Sequence, residues 1–370
     1  MYDCHGIIFA YKAYADMGAL CAERTVSSVP FGAKYRVIDF ALSSLRNAGI
    51  FDVGVIMQRN FQSLLDHIGS GKVWDMSRKS GGLRILPPFS MPRDHDGIYT
   101  GTVEALNAVY SYVEDIKQDT VVLMQGNMVA NVDLADIVKS HKESGCPITA
   151  VCAEAVSGDT RYYYVKGEDG CAEKIYLDKN KNPDALHSLE LYVINKDVLM
   201  TMLDRCRNEN KYRFHSDAIM GLLAAGGKMN VYVHKGYAAV IDSVETFYKA
   251  SSEILLKETR ASLFPEDRPI RTFSHEEVST FYGEEAVCST SAVADNCIIE
   301  GKIKNCIVHS GVVIGKGAEV TNCVLMRGTV VGENAVLKNI IADKSCVFPD
   351  NTTLIGSNKL PMVCPKNSRL

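Results

Sequence analysis

Residues 5–40, HGIIFAYKAYADMGALCAERTVSSVPFGAKYRVIDF, begin as a buried strand and run into a loop at the place where an α/β fold would hold a phosphate. The stretch Gly6-Ile7-Ile8-Phe9-Ala10 is continuously apolar, the pattern of a parallel strand covered on both faces. A phosphate-cradling loop after such a strand uses glycines, because only a bare backbone comes close to a pyrophosphate. Here the loop reads Tyr11-Lys12-Ala13-Tyr14-Ala15-Asp16, and its tyrosines obstruct that approach. The scaffold of a nucleotide site is present, and its anion-binding chemistry has been replaced.

Outward from this strand, up to about residue 255, short apolar runs alternate with segments of helical period. Strands are expected at 6–10, 53–57, 121–125, 148–153, 162–165, 174–177, 189–194 and 231–233, and helices at 39–47, 102–114 and 134–141. Alternation of this kind predicts an α/β fold with a mainly parallel sheet covered on both faces. Ligands of such sheets bind beyond the strand C-termini. One mouth is therefore expected from residues 11–16, the turn after Gln125 and the loop after Val233. Asn131 or Asp133 can cap the helix that ends near Gly145, and Ser243 can cap a helix over 244–255. The first domain is read as 1–255 and a linker as 256–284, where Pro265 and Pro269 stand among charges.

The last part, 285–370, has a short repeat. Residues 311–327, GVVIGKGAEVTNCVLMR, are followed by 328–343, GTVVGENAVLKNIIAD, so that Gly315 matches Gly332 and Asn322 matches Asn339. Aliphatic residues every five or six positions with glycine at the corners predict a left-handed parallel β-helix of hexapeptide-like turns. Its open ends and flat faces favour association with other subunits. Related repeats in acyltransferases use a histidine at a subunit interface. His309 is the one histidine within these repeats, and oligomer scaffolding is the preferred reading.

A chain of 370 residues exceeds what one hydrophobic core usually supports, in keeping with two domains. The formal net charge of -4, without a dominant Lys/Arg block, argues against nucleic acid as a partner. No apolar run reaches membrane-spanning length and no signal-like N-terminus is seen, so no membrane is expected and the chain is read as cytoplasmic. The twelve cysteines are then expected as thiols. They include no C-x-x-C pair, and Cys297, Cys306 and Cys323, each after an Asn and before two aliphatic residues, suit small packing positions.

Several motifs together resemble ADP-glucose pyrophosphorylase, that is glucose-1-phosphate adenylyltransferase, over nearly the whole chain. Residues 29–40 are similar to its VPFGGKYRIIDF segment and residues 42–50 to its LSNCINSGI; Tyr99-Thr100-Gly101-Thr102 resembles its YRGT. Gly236-Tyr237 followed by Phe247-Tyr248 is similar to GYWRDVGTIDAYY. The resemblance implies a Rossmann-like nucleotidyltransferase domain followed by a β-helix, and transfer of AMP from ATP to glucose 1-phosphate with release of pyrophosphate. Such an in-line displacement between anions needs donors and cations on the leaving pyrophosphate and a metal held by carboxylates.

The departures from the family pattern share a direction. The GGRGTRLYPLT loop aligns with residues 11–21, so the catalytic arginine becomes Asp16. The lysine of KPAVPFG falls at Val26, and the arginine of YRGT at Thr100. The metal-binding aspartate of GDH corresponds to Asn127, whose neutral amide holds Mg²⁺ poorly. The second metal aspartate, in WRDVGT, aligns with Val240; Asp242, two residues on, is an alternative ligand. No metal site and no strongly bound cofactor are expected in this chain, the Mg being required by an active partner.

Sugar-side positions persist. Lys179 matches the lysine of an EK pair that contacts glucose 1-phosphate, Asp217 keeps the aspartate of FGKD, and Gly101 and Thr102 remain. Lys179 in its polar run also reads as a solvated residue, and Gly101-Thr102 as a turn and helix start. Arg24, Lys34 and Arg36 align near the family's effector site, where sugar bisphosphates or phosphate bind; arginine's forked donors suit that ligand. The resemblance thus implies a regulatory D-type subunit, catalytically deficient alone, in a hetero-oligomer, expected to be a tetramer, with a catalytic subunit of bacterial glycogen synthesis. The alternatives are an active sugar-1-phosphate nucleotidyltransferase using Lys12, Asp242 and Lys179 in new roles, and a ligand sensor with no such partner.

Overall fold

The computed structural model describes residues 3–12, 15–87, 99, 101–158, 160–177, 182, 184–273 and 277–370. Thr100 and Lys179 lie outside them. The opening strand is β1 (Cys4–Phe9), buried along its whole length. It is followed by a two-stranded hairpin, β2 (Pro30–Phe31) and β3 (Tyr35–Arg36), then α1 (Ile38–Asn47), β4 (Val53–Ile56), α2 (Gln62–Ile68) and β5 (Leu83–Leu86). Gly6 lets α1 lie close on β1, since a Cβ there would stand 2.9 Å from Leu45 Cδ2.

The expected helix over 102–114 is two helices, α3 (Thr102–Ala108) and α4 (Tyr110–Glu114), broken at Val109, whose φ and ψ of −115° and 28° are not helical. Next come β6 (Thr120–Gln125), β7 (Met128–Ala130) and α5 (Leu134–Ser144). Of the two candidate caps it is Asp133 that accepts the Asp136 amide, and Gly145 ends α5 at φ 63°. Strands β8 (Ile148–Ala153), β9 (Tyr163–Lys166), β10 (Ala172–Tyr176) and β11 (Leu186–Asn195) lead to α6 (Lys196–Asn208) and α7 (Met220–Ala224). The domain closes with β12 (Met229–His234), β13 (Ala238–Val240) and α8 (Val244–Glu253), where Ser243 and Thr246 form a reciprocal capping box.

Nine strands form one sheet. Strands β5, β4, β1 and β6 run parallel, β11 runs antiparallel between β6 and β8, and β12 is parallel to β8 at the edge. Helices cover both faces, as apolar runs on both sides of β1 require. The stretch 256–284 holds more order than a linker: α9 (Lys257–Leu263) lies in it, and the first β-helix strand is already Phe281–Tyr282.

The C-terminal part consists of three five-stranded parallel sheets, the faces of a left-handed β-helix. Asn305, Asn322 and Asn339 stand at one corner with φ of 53°, 53° and 55°. Each lies seventeen residues after the last, and their amides form a ladder, Asn305 Nδ2 donating to Asn322 Oδ1 at 3.1 Å and Asn322 Nδ2 to Asn339 Oδ1 at 3.1 Å. Asparagine tolerates the left-handed corner and bonds to its copy in the next coil. Cys297, Cys306 and Cys323 are buried packing positions, consistent with their sequence context.

One face of the β-helix is docked on the first domain. Ile307, Val324 and Ile341 from successive coils share a buried cluster with Met17, Leu20, Phe31 and Phe247. Tyr248 donates its hydroxyl to the Asn322 carbonyl at 2.7 Å across this seam. Replacing Asn322 by alanine removes two ladder bonds and forces an ordinary side chain into φ 53°, which should destabilise by about 2 kcal/mol. Asn322→Gly keeps the backbone conformation and should lose clearly less in chemical unfolding. Equal losses would assign the corner's stability to the ladder alone.

Candidate functional site

A cleft of about 620 Å³ opens beyond the C-terminal ends of β1 and β6, the position at which this sheet topology binds ligands. Its floor holds Phe9, Tyr11, Leu123 and Gln125, one wall the start of α3, and the other wall Tyr162, Glu190, Tyr192 and His215. Tyr11 is 8% exposed and lies edge-on to Phe9 and Tyr99, with ring centroids 6.2 and 5.4 Å away. A phenol ring therefore fills space at the end of β1 that a glycine would leave open to a phosphate.

Lys12 reaches across the cleft, its Nζ 3.3 Å from Glu190 Oε2. Glu190 has φ 48°, uncommon for a glutamate, at a register shift in β11 between Ser188 and Leu191. A bulge re-aims a side chain, and here it sends a carboxylate toward Lys12. His215 stacks on Tyr162 with centroids 3.5 Å apart, and burial pushes its pKa down to about 4, so the ring is neutral at pH 7. Arg59, Arg161 and Arg213 line the same cleft and leave it cationic.

The structure brings only some of the anticipated residues to this cleft. Gly101 and Thr102 line it. Gly101 precedes α3 in extended conformation, and a Cβ on it would lie 2.3 Å from the Tyr212 carbonyl, so a close backbone crossing requires the glycine. Asp217 braces the wall from within: its Oδ2 accepts the amides of Tyr212 and Arg213 at 3.2 and 2.9 Å, and its Oδ1 the Ser216 hydroxyl at 3.0 Å. The shared mouth holds for Tyr11, Lys12 and Gln125, but the loop after Val233 borders a different cleft, with Asn131 and Arg268.

The four altered positions do not line the cleft. Asp16 is exposed on a 3₁₀ turn, Ala15–Cys21, and Val26 is fully buried in the seam beneath the β-helix. Asn127, 2% exposed, donates its Nδ2 to the Ile241 carbonyl at 2.9 Å, while the Ile241 amide donates to the Asn127 carbonyl at 2.9 Å. Val240 pairs with Met128 in the β7–β13 ribbon. Asp242 accepts the Thr246 hydroxyl at 3.1 Å next to the cap of α8.

The three basic residues expected at an effector site separate. Arg24 is buried, donates its Nε to the Leu20 carbonyl at 2.7 Å, and forms an ion pair with Asp343 of the β-helix. Lys34 holds its ammonium 5.3 Å from the Tyr35 ring centroid. Arg36 donates to the Ser63 hydroxyl at 2.9 Å and, through its backbone amide, to Asp39 at 2.8 Å. Arg36 and Arg24 both face Lys344, whose pKa is pushed down to about 8, first by burial and then by these two cations.

Residues 19–255 match the nucleotidyl transferase family, and residues 274–360 match the GlmU-like, C-terminal hexapeptide family. The chain belongs to the nucleotidyl transferase family. It is glucose-1-phosphate adenylyltransferase-like: it is 29% identical to the "Glucose-1-phosphate adenylyltransferase" of Clostridium perfringens (strain 13 / Type A) over 82% of this chain and 78% of that one. It is 30% identical to the "Glycogen biosynthesis protein GlgD" of Bacillus subtilis (strain 168), over 81% of this chain and 78% of that one. It is 28% identical to the "Glucose-1-phosphate adenylyltransferase" of Bacillus thuringiensis (strain Al Hakam), over 86% and 85% respectively.

For this nucleotidyl transferase family member, the positions aligned with metal-binding aspartates do not fit Mg²⁺. One is an amide whose nitrogen is committed to a carbonyl, the other an aliphatic strand residue, and hard cations take anionic oxygens. Among the described residues, no three His, Cys, Asp or Glu side chains cluster to hold a metal ion, and no helix is long and apolar enough to cross a membrane. Sequence reasoning missed Glu190, Lys344 and Asp343. Asp343 closes the second repeat copy and Lys344 follows it, a place that hints at a corner but not at a partner in another domain. An Asn127→Asp variant would set a carboxylate oxygen against the Ile241 carbonyl and lose a buried donor. It should destabilise by about 1–3 kcal/mol in denaturant titration, and an unchanged midpoint would show that the position tolerates a metal ligand.

Proposed function

We propose that the chain is a non-catalytic, regulatory subunit of glucose-1-phosphate adenylyltransferase, acting in the cytoplasm with a catalytic homologue in glycogen biosynthesis. The observation that carries this reading is Asn127. Its amide nitrogen bonds to the Ile241 carbonyl, so the residue at the end of β6 serves the fold and has no charge for a metal. Tyr11 at the phosphate position and the Lys12–Glu190 ion pair across the cleft support the same conclusion. Partnership is supported by the first β-helix coil. Among the described residues its strands have a neighbour on one side only, and Phe281 is 58% and Val287 53% exposed. Cys288, exposed, stands in register with the buried Ile303, an interior row left open at this end.

The test compares ADP-glucose formation from ATP and glucose 1-phosphate by the purified chain, by a catalytic homologue, and by the two mixed. The chain alone should give no product above blank, and the mixture should differ from the homologue in turnover or effector response. Turnover by the chain alone at rates ordinary for enzymes would favour an active transferase with a remodelled site. A mixture identical to the homologue would favour a ligand sensor.

The same reading assigns a phosphate or sugar-phosphate effector to the seam between the domains. What supports it is Lys344, half-buried and facing Arg24 and Arg36 with Asp343 as its opposing charge. Arg24 then acts as a strut held by Asp343, and Arg36 and Lys344 supply the charge that an anion would meet. The folded-state pKa of Lys344 is about 8, below the 10.5 of an ordinary lysine. Between these the unfolded chain holds a proton that the folded chain lacks, so this group makes stability rise with pH across that window. A bound anion needs the charged lysine, so inorganic phosphate should raise the melting temperature more at pH 7.5 than at pH 9.5. Lys344→Met should abolish the difference, and a phosphate shift that survives in that variant would place the anion elsewhere.

A further inference from the structure

Cys146 and Cys171 bring their sulfurs to 3.7 Å across a turn-to-turn contact that neither the cleft nor the seam uses. Cys146 follows Gly145 at the end of α5 and leads into β8; Cys171 ends the tight turn between β9 and β10. They are 25 residues apart. That turn has a structural task. The Gly170 carbonyl accepts the Val231 amide at 3.0 Å and Cys171 pairs with Asn230, so the turn covers the outer edge of β12, the last strand of the sheet. An uncovered edge strand offers its backbone to other chains, and short covers of this kind suppress such pairing.

We propose that Cys146 and Cys171 are an oxidisable pair whose disulfide clasps the β9–β10 turn over the β12 edge. The sulfurs already touch, and a small rotation of both side chains would bring them to bonding distance of about 2 Å. Access distinguishes this pair from Cys306 and Cys323, whose side chains also interact. Cys171 is half-buried and open to a small oxidant, whereas Cys306 and Cys323 are both enclosed in the β-helix core.

With a low-molecular-weight disulfide such as oxidised glutathione, the chemistry takes two exchanges. The Cys171 thiolate attacks one glutathione sulfur, forming a mixed disulfide and releasing one glutathione thiolate. The Cys146 thiolate then attacks the Cys171 sulfur and expels the second. Two protein thiols become one disulfide, and their two protons pass through solvent to the two expelled glutathione thiolates, so that one glutathione disulfide is reduced to two thiols. Burial, then the hydrogen bond with Cys146, pushes the Cys171 pKa up to about 11. Exchange is therefore slow at neutral pH and should accelerate about tenfold per pH unit between 7 and 10, following the thiolate fraction.

The full-length protein is incubated with oxidised glutathione, quenched with acid, and read by intact mass and by non-reducing peptide mapping. The expected product is two hydrogens lighter at this pair, with one cross-linked peptide joining Cys146 and Cys171. A glutathione adduct at the exposed Cys288 is expected alongside it and is distinguished by the map. Hydrogen exchange should slow at least tenfold at the Val231 amide on oxidation, and dithiothreitol should reverse it. Cys146→Ser and Cys171→Ser should each remove the cross-link and the added protection while leaving exchange of the reduced state unchanged. Glutathione retained on Cys171 without closure, or protection that persists in either serine variant, would overturn the proposal.

Discussion

The ion pair between Arg24 and Asp343 sits among the apolar contacts of the seam, and the relation between the two domains depends on it. Both side chains are almost wholly enclosed, so removing either leaves a charge in a medium that solvates it poorly, a loss of about 3–5 kcal/mol. Apolar contacts from Met17, Leu20 and Phe31 onto Ile307, Val324 and Ile341 supply most of the adhesion. They are not directional. The ion pair, the Tyr248 bond to the Asn322 carbonyl and the Arg24 bond to Leu20 set which coil faces which turn. Because Leu20 belongs to the 3₁₀ turn that follows the cleft loop, the seam and the loop after β1 are parts of one continuous segment.

That continuity bears on the altered catalytic positions. Among the residues anticipated for the site, several polar groups find their partners within the chain. Asn127 is bonded to the backbone of Ile241, Asp217 to the amides that open the turn of the cleft wall, and Asp242 to Thr246 beside the α8 cap. Lys12, in the loop itself, faces Glu190. A buried polar group that is satisfied internally stabilises the fold and offers little to a ligand, since binding would first have to break that bond. The left-handed Glu190 points the same way, because it turns a carboxylate onto Lys12 and takes up one cation of the cleft.

Most of the architecture was legible because period and composition report on burial. The apolar run at residues 6–10 could only be a strand covered on both faces, and the match of Asn322 to Asn339 could only be a coil repeat; β1 and the asparagine ladder follow. Boundaries within a period were less legible. The break at Val109 lies inside a continuous helical pattern, and α9 lies among charges and prolines that read as a linker. The site was legible as a list of losses and not as a geometry. Motif alignment identifies Arg24 and Arg36 as basic, but only the fold shows that Asp343, more than three hundred residues away, takes Arg24. Likewise Glu190 is an unremarkable residue in a strand until a bulge turns it toward Lys12.

The apolar residues of 29–40, the part of the opening stretch most like the family, are mostly buried for packing. Val29, Phe31, Val37 and Phe40 all lie in the seam cluster, with the rings of Phe31 and Phe40 5.9 Å apart and edge-on. Asp39 is enclosed and meets His67 at 2.5 Å, and Arg36 is bonded to Ser63, so the polar residues of this segment tie α1 to α2. A segment committed to the core in this way persists whether or not the chain catalyses anything. Its resemblance therefore carries fold and docking, while the cleft is set by other side chains: Tyr11 packs in the core against Phe9 and Tyr99, and Glu190 pairs with Lys12 across the opening.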